Sequence, residues 1–278
     1  MREIISEKFN SSIAGKFSSW RWLRSDFAEV FHAGEKAGDF SEKGPHPMIW
    51  STGSKFVLLV SSAGRAGRIV FKCFRRIRRK IRWFLRYSPS GDEAVNYAML
   101  AEHGFPVAEL LAAGDERKYG ILKKTFLVTE FCEGFSDGRA FLPGGEYEKS
   151  PELLEKFAGK NFRLLAKLHG IGVLHRGFTP ANLLFSVVQD DVEIKWIDVA
   201  ECKKISAGKM KKLAAYDLVS FFRYFDFTAD QRRKYCEIYL ESSGTNCFDL
   251  EDLTAKVEKI FLSRGKKYAQ PIVKITEK

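Results

Sequence analysis

From Met48 onward apolar and polar positions alternate with the period of two that marks a half-buried strand. MIWSTG and KFVLLVSS read as two strands meeting at a Ser-Thr-Gly turn, and SSAGRAG is a second turn leading into RIVFKCF. In that third strand Ile69, Phe71 and Cys73 alternate with Val70, Lys72 and Phe74. The period then lengthens. Phe74, Ile77, Ile81, Phe84 and Leu85 recur at three- and four-residue steps in FRRIRRKIRWFLRY, one apolar stripe on a strongly cationic helix. SGDEAVNYAMLAEHG predicts a further helix, capped by Ser90 or Asp92 and stopped at Gly104 and Pro106. VAELLAAG and KKTFLVTEF return to strand, which makes five strands in all.

Past Glu130 the pattern is mainly helical. Pro151 opens a long helix with Leu154, Phe157, Leu165 and Leu168 on its apolar face. Leu168 to Phe185, LHGIGVLHRGFTPANLLF, is the end of that helix, a tight loop and a strand. VVQDDVEI is a hairpin turn that keeps Asp190 and Asp191 away from any site, and EIKWID is the returning strand, with Asp198 at its end. DLVSFFRYF reads as an apolar helix opened by Asp217, which serves either as its N-cap alone or also as a brace under the loop. Two amphipathic helices follow, with Thr228 and Asp249 as caps. Before Met48 the chain is mixed: SSWRWLRSDFAEVFHAG holds a strand or a short helix, followed by a loop. The expected division is an N-terminal extension over 1–46, a β-rich lobe over 47–130 and a helical lobe over 131–278.

Composition adds little to the fold. Hydrophobic residues make up 45% and charged residues 29%, ordinary for a soluble globular protein. No apolar run reaches the roughly 18 residues that span a bilayer, and MREIISEKFNSS lacks the apolar core of a signal peptide. A cytoplasmic location is expected, with peripheral contact at the inner membrane as an extension of it. Cys73, Cys132, Cys202, Cys236 and Cys247 are scattered and form no CxxC pair, so neither disulfides nor a zinc site is expected. The net charge of +11 does change the picture, since it favours an anionic partner. The arginine-rich helix over 74–87 is either a solvated face or a surface for anionic lipid or a phosphorylated sugar. No base-reading module surrounds it, so nucleic acid ranks last.

The candidate chemistry lies in the loop. Asn182 and Asp198, brought together by neighbouring short strands, make a clamp for Mg²⁺ and phosphate from hard oxygen ligands. His175-Arg176-Gly177-Phe178-Thr179-Pro180-Ala181-Asn182 keeps the spacing of H-R-D-L-x-x-x-N throughout, with Gly177 where the Asp stands. Lys72, inside an apolar strand, is either an edge lysine with its ammonium in solvent or the lysine that holds the α- and β-phosphates of ATP. Glu93 is either its partner or a carboxylate favouring a helix N-terminus. His169 reads as a buried structural histidine.

The LHxxG-V-x-H-R loop, the strand lysine and the terminal Asp together resemble the protein-kinase-like superfamily. Within it, the FKCFRR strand with its Arg-rich helix, the helix ending at GFP, and the eighteen residues between Asp198 and Asp217 resemble the bacterial lipopolysaccharide core kinases that phosphorylate Kdo or heptose. The resemblance covers about residues 48–240. It implies an α+β, bilobal protein-kinase-like fold: a small five-stranded antiparallel lobe with one helix, and a larger helical lobe. It implies ATP and Mg²⁺ as cofactors. Lys72 would bind phosphates and pair with Glu93, Asn182 and Asp198 would hold the metal, and His175 would anchor the strand bearing Asp198. Glu130-Phe131-Cys132 would turn their backbone to adenine, and Asp137 either reaches a ribose hydroxyl or, as the preferred reading, belongs to a surface turn. Ser51-Thr52-Gly53-Ser54 is the nearest candidate for a glycine loop, with Gly53 and Ser54 over the phosphates. The short stretch after Asp198 lacks A-P-E, which argues for a sugar or glycolipid acceptor rather than a peptide.

Gly177 is the main departure. Glycine can neither orient an acceptor hydroxyl nor take its proton, a function worth about 10²–10⁴-fold. Phosphoryl transfer depends chiefly on positioning and charge neutralisation. The chain is therefore read as a kinase lacking the usual base or, alternatively, as a nucleotide-binding pseudokinase that acts as a scaffold or regulator.

Overall fold

The computed structural model describes residues 20–23, 43, 46–61, 67–74, 88–118, 121–243 and 249–266. The chain divides into two compact units, Met1–Glu133 and Gly134–Lys278. The arginine-rich stretch over 75–87, the GRAG turn up to Ala66, and Cys247 lie outside the described residues.

Among the described residues, unit 1 is an antiparallel sheet with one helix against it. Its strands are β1 (Trp20–Leu23), β2 (Met48–Ser51), β3 (Lys55–Ser61), β4 (Arg68–Phe74), β5 (Leu110–Lys118) and β6 (Ile121–Glu130), in the order β1-β5-β6-β4-β3-β2. The five expected strands are all present. The sixth, β1, comes from the mixed N-terminal segment and pairs with β5 at the sheet edge. The predicted alternation is real: Phe56, Leu58 and Val60 on β3, Ile69, Phe71 and Cys73 on β4, and Phe126 and Val128 on β6 form one buried cluster. Lys72 therefore points to the opposite face, between Val57 and Leu127 in register.

Helix α1 (Pro89–Glu102) starts earlier than Ser90 or Asp92 would place it. Ser88 is its N-cap, because Pro89 at the first helical position already has the backbone angle a helix needs. The Ser88 hydroxyl accepts the Gly91 N–H at 3.2 Å, and buried Thr125 on β6 donates to Ser88 at 3.0 Å. The cap thus ties α1 to the sheet and fixes where Glu93 falls.

Unit 2 is built on α2 (Pro151–Gly170). A short strand β7 (Ser136–Asp137) joins the hairpin β9 (Leu183–Val188) and β10 (Asp191–Trp196) in the order β10-β9-β7, and β8 (Val173–Leu174) pairs with β11 (Lys203–Lys204). Helices α3 (Ala207–Phe222), α4 (Ala229–Ser243) and α5 (Leu250–Arg264) complete it. Phe157, Phe162, Phe178, Phe221 and Phe222 are fully buried and pack ring to ring, with Phe162 5.1 Å from Phe222 and 5.2 Å from Phe221. Thr228 and Asp249 cap α4 and α5 as expected, accepting from the Gln231 and Asp252 N–H groups. Asp217 does not open its helix: α3 begins at Ala207, so Asp217 lies in its interior.

Among the described residues no helix is long and apolar enough to cross a membrane. Among the described residues, Cys73, Cys132, Cys202 and Cys236 are buried and form no disulfide.

Candidate active site

In unit 1, Lys72 donates to both oxygens of Glu93, each at 3.0 Å. Lys72 is 9% exposed and Glu93 1%. The edge-lysine reading is therefore excluded. Burying two ions is expensive, and their attraction offsets that cost only when the geometry is good, as here. Such a pair holds an ammonium in one direction rather than adding much net stability.

The Thr52–Ser54 turn joins β2 to β3, the strand next to β4. Thr52 closes it, accepting the Lys55 N–H through its hydroxyl at 3.3 Å and donating its own N–H to the Lys55 carbonyl at 2.8 Å. A Cβ added at Gly53 would meet nothing within 4 Å. At the other end of the sheet the Glu130 carboxylate accepts the Glu109 N–H at 3.0 Å and faces the Cys132 thiol at 3.9 Å. The Phe131 N–H donates to the Arg68 carbonyl at 3.0 Å, and the Arg68 guanidinium stacks on the Phe131 ring at 4.4 Å. The path of the chain through Glu130, Phe131 and Cys132 is thereby fixed.

In unit 2 the loop is held from below. The Asp217 carboxylate accepts the backbone N–H groups of His175 and Arg176 at 2.8 and 2.7 Å, and lies 3.1 Å from His169 Nε2. His169 Nδ1 in turn meets the Tyr239 hydroxyl at 2.7 Å. Of the two roles open to Asp217, the structure shows the brace. Burial opposes its ionisation, but the bonds from His169 and the His175 N–H outweigh it and hold the carboxyl below its usual range. His169 is the buried structural histidine expected. Asp137 bonds Arg139 through both carboxylate oxygens, at 2.9 and 2.7 Å, and caps a short 3₁₀ turn.

His175 is fully buried, and both its ring nitrogens lack a hydrogen-bond partner among the described residues. Burial pushes its pKa down, with Asp217 acting in the opposite direction, so the ring is neutral. It packs edge-on against Trp196 at 5.1 Å and Phe178 at 5.5 Å. Trp196 ends β10, two residues before Asp198, and donates its indole N–H to Asn161 at 2.8 Å. Sequence reasoning missed Asn161. Its signal was a polar residue at a helical step from Phe157 and Leu165, inside an otherwise apolar face.

Asn182 donates through Nδ2 to the Gly177 carbonyl at 2.9 Å, and its own carbonyl accepts the Ile197 N–H at 2.9 Å. The neighbouring strands thus bring Asn182 beside Ile197, the residue before Asp198. Asp198 is left-handed, φ 52° and ψ 54°, a conformation that Asp tolerates better than most residues and that clusters at functional sites. Arg176 is also left-handed, φ 61°. Asp190 and Asp191 sit at the β9–β10 turn, where Asp191 pairs with Lys160 at 2.6 Å.

A match to the lipopolysaccharide kinase (Kdo/WaaP) family spans residues 65–239. Among solved structures the chain is similar to WaaP in complex with acyl carrier protein, at a TM-score of 0.61 and 17% identity, covering 87% of this chain and 97% of that one. That likeness shows the fold, the α+β protein-kinase-like arrangement. No curated protein matches. Because the match takes in more than half of the 278 residues, the chain belongs to the lipopolysaccharide kinase (Kdo/WaaP) family.

Proposed function

We propose that this protein is an ATP- and Mg²⁺-dependent phosphotransferase acting on a lipopolysaccharide inner-core sugar, Kdo or heptose, at the cytoplasmic membrane face. The observation that carries the reading is the buried, two-oxygen contact between Glu93 and Lys72. It keeps an ammonium charged and aimed, as the grip on the α- and β-phosphates requires. The Thr52–Ser54 turn would cover the phosphates, and the backbone of Glu130 to Cys132 would meet adenine.

The residues present fit a magnesium ion. Asn182 commits its Nδ2 to Gly177, which leaves its amide oxygen as the donor, and Asp198 supplies a carboxylate; both are the hard oxygen ligands that Mg²⁺ prefers. When bound, the ion neutralises charge on the transferring phosphates. Asp217 holds the loop so that Asn182 keeps its place. His175 acts through packing on Trp196, a positioning role, and not as an acid or base.

Transfer of phosphate from radiolabelled ATP to dephosphorylated core glycolipid tests the reading. Transfer above a Lys72→Ala control supports it, and its absence removes it. Gly177 favours a second reading, a nucleotide-binding pseudokinase. That reading holds if only a Gly177→Asp protein turns over, and fails if the natural chain does.

A further inference from the structure

Unit 2 carries a cavity of about 560 Å³ between α3 and α5, on residues the nucleotide reading does not use. Lys211 and Lys212 line it from α3, and Lys256 and Lys259 from α5. Gly208, in the first turn of α3, lines it too, and a Cβ there would meet nothing within 4 Å. The Ser206 side chain makes no capping bond to this 16-residue helix, so the positive end of the helix dipole adds to the lysines.

Two of the three acids of α5 turn away from this charge. Glu251 pairs with Arg233 and Glu258 with Arg232, each at 2.6 Å and each toward α4. Among the described residues Lys211, Lys212 and Lys259 have no carboxylate partner. Ammonium groups gathered around a cavity repel one another until an anion enters. Tyr216, 37% exposed, and Ile260 add apolar surface to the lining. Lysines beside a tyrosine and an isoleucine suit a surface where headgroup phosphates meet acyl chains. A soluble phosphate has no use for the apolar lining.

We propose that the α3–α5 cavity binds the phosphate headgroup of an anionic membrane lipid and so seats unit 2 on the membrane. The site is independent of the nucleotide reading, and its test contains no nucleotide. The full chain is sedimented with phosphatidylcholine vesicles that contain or lack phosphatidylglycerol, and inorganic phosphate binding is measured by calorimetry. Binding to the anionic vesicles alone is expected. Lys212→Gln with Lys259→Gln should weaken it about thirtyfold, at about 1 kcal/mol per lysine near the surface. Lys149→Gln with Lys167→Gln, an equal loss of charge elsewhere, should weaken it far less. Equal losses in the two lysine pairs, no binding to anionic vesicles, or binding of inorganic phosphate without vesicle binding would each overturn the proposal.

Discussion

The Asn182 amide donates to the Gly177 carbonyl at 2.9 Å, so the residue proposed to hold metal is oriented by the backbone of the position that lacks a carboxylate. That bond needs no side chain at 177. In the proposed reading, metal binding and base catalysis are therefore separable. A Cβ at 177 would lie 3.4 Å from Asn182 Nδ2 and 3.8 Å from His175 Nδ1, ordinary contacts. Gly177→Asp should fold with a stability change under about 1 kcal/mol. It should raise phosphate transfer by about 10²–10⁴-fold, read in the glycolipid assay. A Gly177→Asp protein that folds but transfers no faster would mean that 177 does not face the acceptor.

Asp217 organises the loop, and its removal should show as a loss of stability. Asp217→Asn keeps the shape but loses charge-assisted bonds to two backbone N–H groups and to His169, at a cost of about 3 kcal/mol in urea denaturation. The effect depends on pH. The folded carboxyl titrates below its ordinary 3.8. Its contribution is therefore fully present above about pH 4 and is lost as the pH falls through the folded value. The gap between natural and Asp217→Asn proteins should narrow only in acid. A gap that stays constant down to strong acid would contradict the brace.

The Lys72–Glu93 pair should couple strongly in a double-mutant cycle. Glu93→Leu alone leaves a buried ammonium, and Lys72→Met alone leaves a buried carboxylate; each should cost about 3–5 kcal/mol. The double variant should recover most of that stability while losing ATP binding. Additive losses would mean that the two groups do not depend on each other.

His175 should behave as a packed ring rather than a proton carrier. His175→Phe preserves the contacts with Trp196 and Phe178 and should cost less than about 1.5 kcal/mol, whereas His175→Ala should cost about 3 kcal/mol. Burial lowers the folded pKa below the usual 6.5. The unfolded chain then binds the proton first, so this stability is complete above about pH 6.5 and declines as the pH falls below it. His175→Phe should flatten that slope, measured as unfolding free energy between pH 5 and 8 relative to the natural protein.

Much of this was readable in the chain. The period-two pattern gave five strands, and the one polar residue inside IVFKCF singled out Lys72. H-R-x-x-x-x-x-N spacing placed Asn182, and EIKWID placed Asp198. What stays open or is missed has physical causes. Trp20–Leu23 is four residues long, too short to show a period, and becomes a strand only because β5 offers an edge. Asp217 precedes an apolar run, which is how an N-cap looks, yet AGKMKKLAAY already forms the start of α3 through its alanines and lysines. The α3–α5 cavity joins lysines more than forty residues apart in sequence, which only the packing of two helices brings together.

Melting temperature with and without Mg-ATP tests the proposed nucleotide binding directly. At ATP about a hundredfold above its Kd, stabilisation of about 2.7 kcal/mol is expected for the natural chain. It should vanish, each variant judged against its own ligand-free melt, in both Lys72→Ala and Asp198→Ala. A natural chain that Mg-ATP does not stabilise, or an Asp198→Ala protein stabilised as much as the natural one, would contradict the nucleotide assignment.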